Sequence, residues 1–500
     1  MPNSIAFFAL LAWPLVMLFL FRRLPLGRAV IWSFLGAYLL LPPFPAAIDL
    51  PLMPPLNKDT LPNVVALFLV VFMAGQKVTL LPQTPMGKIL MLVFVFSPIL
   101  TVITNPEPIL FATSGLRGLY AMDMLALIIN QAMVLISFNL ARILLRTKED
   151  LRDILIAFVI SGVIYAFPML LEIRLSPQLN LWIYGYFQHM FEQMVRGDGF
   201  RSIVFLSHGI WAAMLAMVTF SSAIILMRQS DSKNRPWFLV AGVFMFGVLV
   251  LSKTLGPFLY AIVMLLFVGL SAWRMQLRVA VVLAALTIAY PVVKSLDLVP
   301  EKQVVALAGQ ASDDRAGSLK FRLDNERILL DRANEKPVFG WGTWGRNHVH
   351  NPITGEILSV SDGRWVVTIG VFGWVGLLAE FGLLSLPIFL LWREVIALER
   401  KKRPGSATSS LASIRRYPEP QKAPYHPSPL AGAIALLLAL NMVDLLPNAT
   451  LSPLTWLLTG ALLGYAESVR ARRLVAEGSI NEPTTSGPVS SGQKRARTIL

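Results

Sequence analysis

The chain has 500 residues, of which 55% are hydrophobic and only 15% charged. A single soluble core stops growing near ~250–300 residues, so a water-soluble globule is excluded and a chain that crosses a membrane many times is implied. Cysteine is absent, which removes disulfides, thiolate nucleophiles and cysteine-ligated metals. Five histidines are too few for a histidine-rich metal site. A net charge of +15 would suggest nucleic acid for a soluble protein, but in a membrane protein the placement of the charges carries the information.

A crossing helix needs ~20 mostly apolar residues. In chain order, thirteen segments qualify: 5–21, 29–42, 62–76, 88–104, 119–141, 153–171, 203–227, 237–251, 255–273, 278–296, 369–392, 430–446 and 451–467. Segments 29–42, 62–76 and 237–251 are short, and 369–392 reads as starting with a tilted or re-entrant piece. The first segment reads as a retained helix, because no small-residue cleavage site follows Arg22 and Arg23. The expected fold class is therefore an all-α polytopic membrane protein with about thirteen transmembrane helices.

Alternate loops hold the basic residues, from Arg22, Arg23 and Arg28 to the run at Arg400, Lys401, Lys402 and Arg403. Placing these loops in the cytoplasm puts the N-terminus outside and the C-terminus inside. The domains expected are a transmembrane core over 1–395, a Pro/Ser-rich cytoplasmic linker over 396–428, two C-terminal transmembrane helices over 429–468, and a disordered basic tail over 469–500. Two outer segments, 172–202 and 297–364, keep arginines on the disfavoured side. Long loops translocate regardless of charge, but those arginines still need a reason to be there.

In the first outer segment, Trp182, Tyr184, Tyr186 and Phe187 predict a stretch lying along the membrane interface. Arg196-Gly-Asp-Gly-Phe-Arg201 follows. Gly197 and Gly199 let backbone approach a ligand, and the forked donors of Arg196 and Arg201 match phosphate oxygens. General binding of lipid headgroups is the plainer reading of both. His208 opens the next helix, and Lys253, in an outer hairpin, joins the same cationic set.

In the second outer segment, a helix is predicted from a Ser318 cap to a stop at Pro337. At ~100° per residue, Leu319, Leu323, Leu330 and Ala333 share one stripe. Lys320, Asp324, Arg327 and Asp331 form a solvated face, with Arg327 spaced to pair within the helix. Arg322 and Glu326 fall at the border of the apolar stripe, where a charge must be paired or used. Arg322 is expected in a pocket with Glu326 as its orienter, and a purely structural pair is the alternative. In Phe339-Gly-Trp-Gly-Thr-Trp-Gly-Arg346, glycine backbone could wrap phosphate and aromatic rings could stack on sugars or anchor in lipid. The strand–helix context of a nucleotide fold is missing. Asp362 stands at the mouth of the next glycine-rich span, as a general base or as a helix cap. Asp123, Glu380 and Asp444 are ionisable groups in or at the ends of spans. Asp123 and Asp444 read as partners of buried basic side chains.

The Arg196–Arg201 stretch, the Arg322 helix and Lys336-Pro-Val-Phe-Gly-Trp-Gly342 together resemble the Wzy/O-antigen ligase superfamily, in particular its exopolysaccharide polymerases. The resemblance spans roughly 120–395. It implies a GT-C-like inner-membrane glycosyltransferase that works at the periplasmic face on undecaprenyl-diphosphate-linked glycans, with neither metal nor cofactor. It also implies contact with membrane lipids, with chain-length regulators and with export proteins, and none with nucleic acid. The diphosphate-binding positions it implies are Arg196 or Arg201 in the first loop and Arg322 or Arg346 in the second. The catalytic candidates are Asp362 and His208. Family ligases carry a His-Asn pair before the last glycine-rich span, where this chain reads Ser361-Asp362. Ligation of a finished glycan to a lipid or protein acceptor, and transport of a lipid-linked oligosaccharide, are the alternative functions.

Overall fold

The computed structural model describes residues 1–50, 54–196, 199–311, 313–402 and 427–477. Helices account for most of it: α1 (Ser4–Arg23), α2 (Leu26–Leu40), α3 (Leu61–Phe68), α4 (Pro85–Ile103), α5 (Ala121–Leu144), α6 (Lys148–Leu175), α7 (Leu179–Tyr184), α8 (Gly209–Gln229), α9 (Arg235–Leu251), α10 (Leu255–Leu270), α11 (Trp273–Ser295), α12 (Glu301–Ala311), α13 (Asp313–Asn334), α14 (Arg364–Lys402), α15 (Pro429–Asp444) and α16 (Pro453–Ala476). The described strands form two small antiparallel hairpins, β1 (Ile109–Leu110) with β2 (Gly115–Leu116), and β3 (Val195–Arg196) with β4 (Gly199–Phe200).

Each of the thirteen expected segments falls on a helix. Among the described residues, seven helices are long and apolar enough to cross a membrane: α1, α4, α5, α6, α8, α11 and α14. The shorter apolar helices include α2, α9, α10 and α15. Helix α1 shows how such a sequence sorts itself. Ala6, Leu10, Trp13, Met17 and Phe21 make one buried stripe, while Phe8, Leu11, Leu15 and Phe19 point outward. An apolar outer face of this kind is suited to lipid rather than water. Helix α15 is buried on nearly every side and lies inside the bundle.

Helix α5 packs on α16, α11 on α15, α8 on α9, and α14 on both α4 and α16. Gly460 and Gly464 allow the first contact: a Cβ there would stand 2.1 Å from the Phe138 carbonyl oxygen and 2.2 Å from that of Arg142. Small residues one turn apart bring membrane helices together in this way.

Helix α14 is broken. Gly373 has φ 66° and ψ −169°, a combination nearly confined to glycine. The backbone of 337–342 fills the break. Trp374 N–H donates to Pro337 O (2.8 Å), while the N–H groups of Trp341 and Gly342 donate to Gly370 O and Val371 O (both 2.9 Å). An unsatisfied backbone group in a bilayer costs several kcal/mol, so irregular backbone is tolerated only where protein completes it. The tilted start expected near 369 is thus an internal break.

Two other boundaries differ from expectation. The predicted 318–337 helix begins earlier, so Ser318 lies inside α13 rather than capping it. Residues 396–402 of the expected linker continue α14 and 469–476 of the expected tail belong to α16, while 403–426 and 478–500 lie outside the described residues.

Candidate anion-binding site

Four loops meet at one end of the bundle: 176–208, 252–254, 296–363 and 445–452. The opposite end carries the other basic loops, tied by pairs such as Arg28–Asp153 and Arg274–Glu399.

The first of the four loops is fixed before any ligand arrives. Buried Glu172, at the end of α6, accepts the backbone N–H groups of Leu179 (3.1 Å), Ile203 (2.8 Å) and Val204 (2.7 Å). Phe205 N–H donates to Tyr165 Oη (3.0 Å), and Lys58 Nζ donates to Phe205 O (2.7 Å). Val204 is held at φ 52°. Supports of this kind hold the following side chains in place more tightly than a free loop could.

The hairpin β3–β4 lies just upstream, and Arg201 N–H closes on Met194 O at 2.8 Å. Across from it, Lys253 sits at φ 49° in the turn between α9 and α10, and its Nζ donates to Arg196 O at 2.9 Å. From the second large loop comes Arg322 on α13. Its Nε lies 3.5 Å from Asp362 Oδ2. Its Nη1 donates to Asn448 Oδ1 (3.2 Å) and Pro447 O (3.3 Å).

These cations are close enough to oppose one another. Burial, then the charges of Arg196 and Arg322, push the Arg201 guanidinium down to about 10. Its Nε is buried without a hydrogen-bond partner among the described residues. An orphaned guanidinium N–H is costly and is a donor without an acceptor. His208 caps α8: its Nδ1 accepts Ile210 N–H at 3.0 Å. Burial first, then His189, Arg201, Arg322 and Arg196, push this imidazole down to about 3. It is therefore neutral, and with Nδ1 taken its proton resides on Nε2, making it a donor. The His189 ring lies 4.5 Å from that of His208, and its Nδ1 accepts Met190 N–H at 2.7 Å. Sequence reading passed over His189, a single histidine in an aromatic-rich loop.

Of the seven residues singled out in the sequence, Arg196, Arg201, His208, Lys253, Arg322 and Asp362 come together here. Arg346 does not belong to this set. It is 1% exposed, and its guanidinium donates to the carbonyls of Trp341 (3.2 Å), Arg117 (2.8 Å) and Glu107 (3.1 Å). It ties the 105–118 loop to the glycine-rich segment. The backbone N–H groups of Trp341 and Gly342 are likewise spent on α14 and not on a phosphate.

Glu326 does not orient Arg322. It accepts Trp365 Nε1 (2.6 Å) and Tyr290 Oη (3.0 Å) and pairs with Lys294 at 3.3 Å. It anchors α13 to α11 and α14. Arg327 likewise pairs outside its own helix, with Glu301 at 2.9 Å. Asp123 pairs with Arg117 at 2.7 Å and Glu380 with Arg364 at 2.6 Å. Among the described residues Asp444 has no basic partner in contact; Thr450 Oγ1 (2.6 Å) and Asn448 Nδ2 (2.9 Å) donate to it. Gly197 and the neighbouring Asp198 lie outside the described residues.

Fold and site together describe a predominantly helical protein, with seven helices among the described residues long and apolar enough to cross a membrane, and a site rich in donors and cations at one end of its bundle. No protein-family model matches this sequence, and no curated protein matches it.

Proposed function

We propose that this chain is a membrane glycosyltransferase that polymerises undecaprenyl-diphosphate-linked oligosaccharide repeat units at the periplasmic face of a bacterial inner membrane. It does so within a GT-C-like arrangement of thirteen crossings. One observation carries the reading: three arginines and a lysine from three loops converge, and the buried Nε of Arg201 has no acceptor among the described residues. A diphosphate is the complementary ligand, since guanidinium forks match phosphate oxygens.

In the reaction, the bond between the sugar C1 and the diphosphate oxygen breaks while a hydroxyl of the acceptor sugar attacks C1. Arg196, Arg201, Arg322 and Lys253 offset the charge that grows on the leaving diphosphate. His208 donates from Nε2. Asp362, beside Arg322, accepts the proton of the attacking hydroxyl. The basic loops at the other end of the bundle favour a cytoplasmic position for that end and an outer position for the site. The chain length of the product would be set with regulator and export proteins acting on the same glycan.

The test is to substitute Arg201→Gln and Arg322→Gln separately and to measure glycan chain length in membranes. Short or unextended lipid-linked units at normal protein levels are expected. Wild-type lengths in both variants would defeat the proposal, and glycan found on a new lipid or protein acceptor would turn it into ligation.

A further inference from the structure

The two C-terminal helices looked like an appendage in the sequence, set apart by a linker. Their connecting loop, 445–452, nevertheless reaches the site. Asn448 Oδ1 accepts from Arg322 Nη1, while the amide's other end, Nδ2, donates to Asp444 Oδ1. Asp444 is fully buried at the end of α15, and Thr450 Oγ1 donates to its second oxygen.

An amide has one accepting end and one donating end. A carboxylate accepts only, so Asp444 compels Asn448 to present Nδ2 inward and Oδ1 toward the guanidinium. Rotated the other way, the amide would set its NH₂ against the Arg322 donor and its Oδ1 against the Asp444 carboxylate, losing both hydrogen bonds. With Asp362 at Nε and Asn448 and Pro447 at Nη1, Arg322 keeps Nη2 without a partner among the described residues. That edge is the one left to meet a ligand.

We propose that Asp444 and Asn448 are positioning residues which fix the Arg322 guanidinium, so that the C-terminal helix pair completes the anion site. This rests on the function proposed above for what Arg322 binds, but not for how Arg322 is held. Asp444 acts through Asn448, and Asn448 acts on Arg322. Removing either frees the guanidinium to turn toward water.

Two measurements on the full-length protein in detergent test this. The first is labelling of Arg322 by phenylglyoxal, read by peptide mass spectrometry with Arg196 as internal reference, and it needs no substrate. Asp444→Asn and Asn448→Ala are expected to raise the Arg322 labelling rate about 3- to 10-fold, the range set by losing one hydrogen bond, with thermal stability near wild type. An unchanged rate would overturn the proposal, and so would an equal rise at Arg196, which would report general loosening. The second is inorganic pyrophosphate binding in a double-mutant cycle. Asp444→Asn is expected to weaken binding about 3- to 10-fold in the wild-type background and less than about twofold when Arg322 is already Ala. Equal weakening in both backgrounds would show that Asp444 does not act through Arg322. Should the wild type not bind pyrophosphate while the labelling behaves as expected, the proposed function fails and the positioning role stands.

Discussion

Replacing Arg201 with Met separates what the site costs the fold from what it gives the reaction. The charged guanidinium is mostly buried, faces Arg196 and Arg322, and lacks an acceptor at Nε. Its push down to about 10 corresponds to ~3 kcal/mol of unfavourable environment, as an upper bound. Methionine keeps an unbranched stem in the space and removes the charge. The ligand-free protein should therefore gain on the order of 1–3 kcal/mol of stability, seen as a higher unfolding midpoint in detergent. Transfer should fall by ~2–4 kcal/mol of transition-state stabilisation, or roughly 30- to 900-fold, measured as glycan elongation in membranes at matched protein levels. A lower midpoint together with lost transfer would make Arg201 an ordinary structural cation. An unchanged elongation rate would remove it from the site.

Three further outcomes follow from the same geometry. Gly373→Ala would set a Cβ 2.2 Å from Val338 O at a backbone conformation forbidden to alanine; a loss of ~3 kcal/mol or more is expected, read as lost monodisperse protein on gel filtration. Arg346→Ala strips donors from three carbonyls and should lower folded yield by the equivalent of ~3 kcal/mol. Arg322→Ala, at a half-exposed position, should leave the yield near wild type, and the reverse ranking would contradict both assignments. The third concerns pH. Folded His208 stays neutral down to about 3, whereas an unfolded imidazole takes up a proton near ~6.5. Acid therefore favours the unfolded chain, and stability falls as pH drops through 6.5 toward 3. His208→Asn keeps the cap acceptor and should flatten that fall between pH 7 and pH 4.5 in thermal unfolding. An unchanged slope would mean that the ring titrates normally.

The membrane helices were legible because apolar run length is dictated by the bilayer, and every expected segment became a helix. Arg196, Arg201 and Arg322 stood out in the sequence because arginine in a loop expected outside opposes the usual charge bias. Partners were not legible. A helical projection sees one helix at a time, so Glu326 looked like the neighbour of Arg322. In three dimensions Tyr290, Lys294 and Trp365 claim it instead. The glycine–aromatic run before Arg346 suggested a ligand-binding loop. Its backbone instead repairs the break at Gly373, and the guanidinium meets carbonyls from a loop more than 200 positions away. Asn448 carried no signal, and Asp444 was expected beside a buried basic side chain but meets Asn448 and Thr450 instead, because their shared role exists only once α13 lies against the 445–452 loop.

The most direct test of the central claim is a cryo-EM map of the full-length protein in nanodiscs containing undecaprenyl diphosphate. The account predicts headgroup density within hydrogen-bond distance of Arg201 Nε and Arg322 Nη2, beside His208 and Lys253. A headgroup bound at the opposite, Arg28–Asp153 end of the bundle, with no density at these side chains, would contradict it.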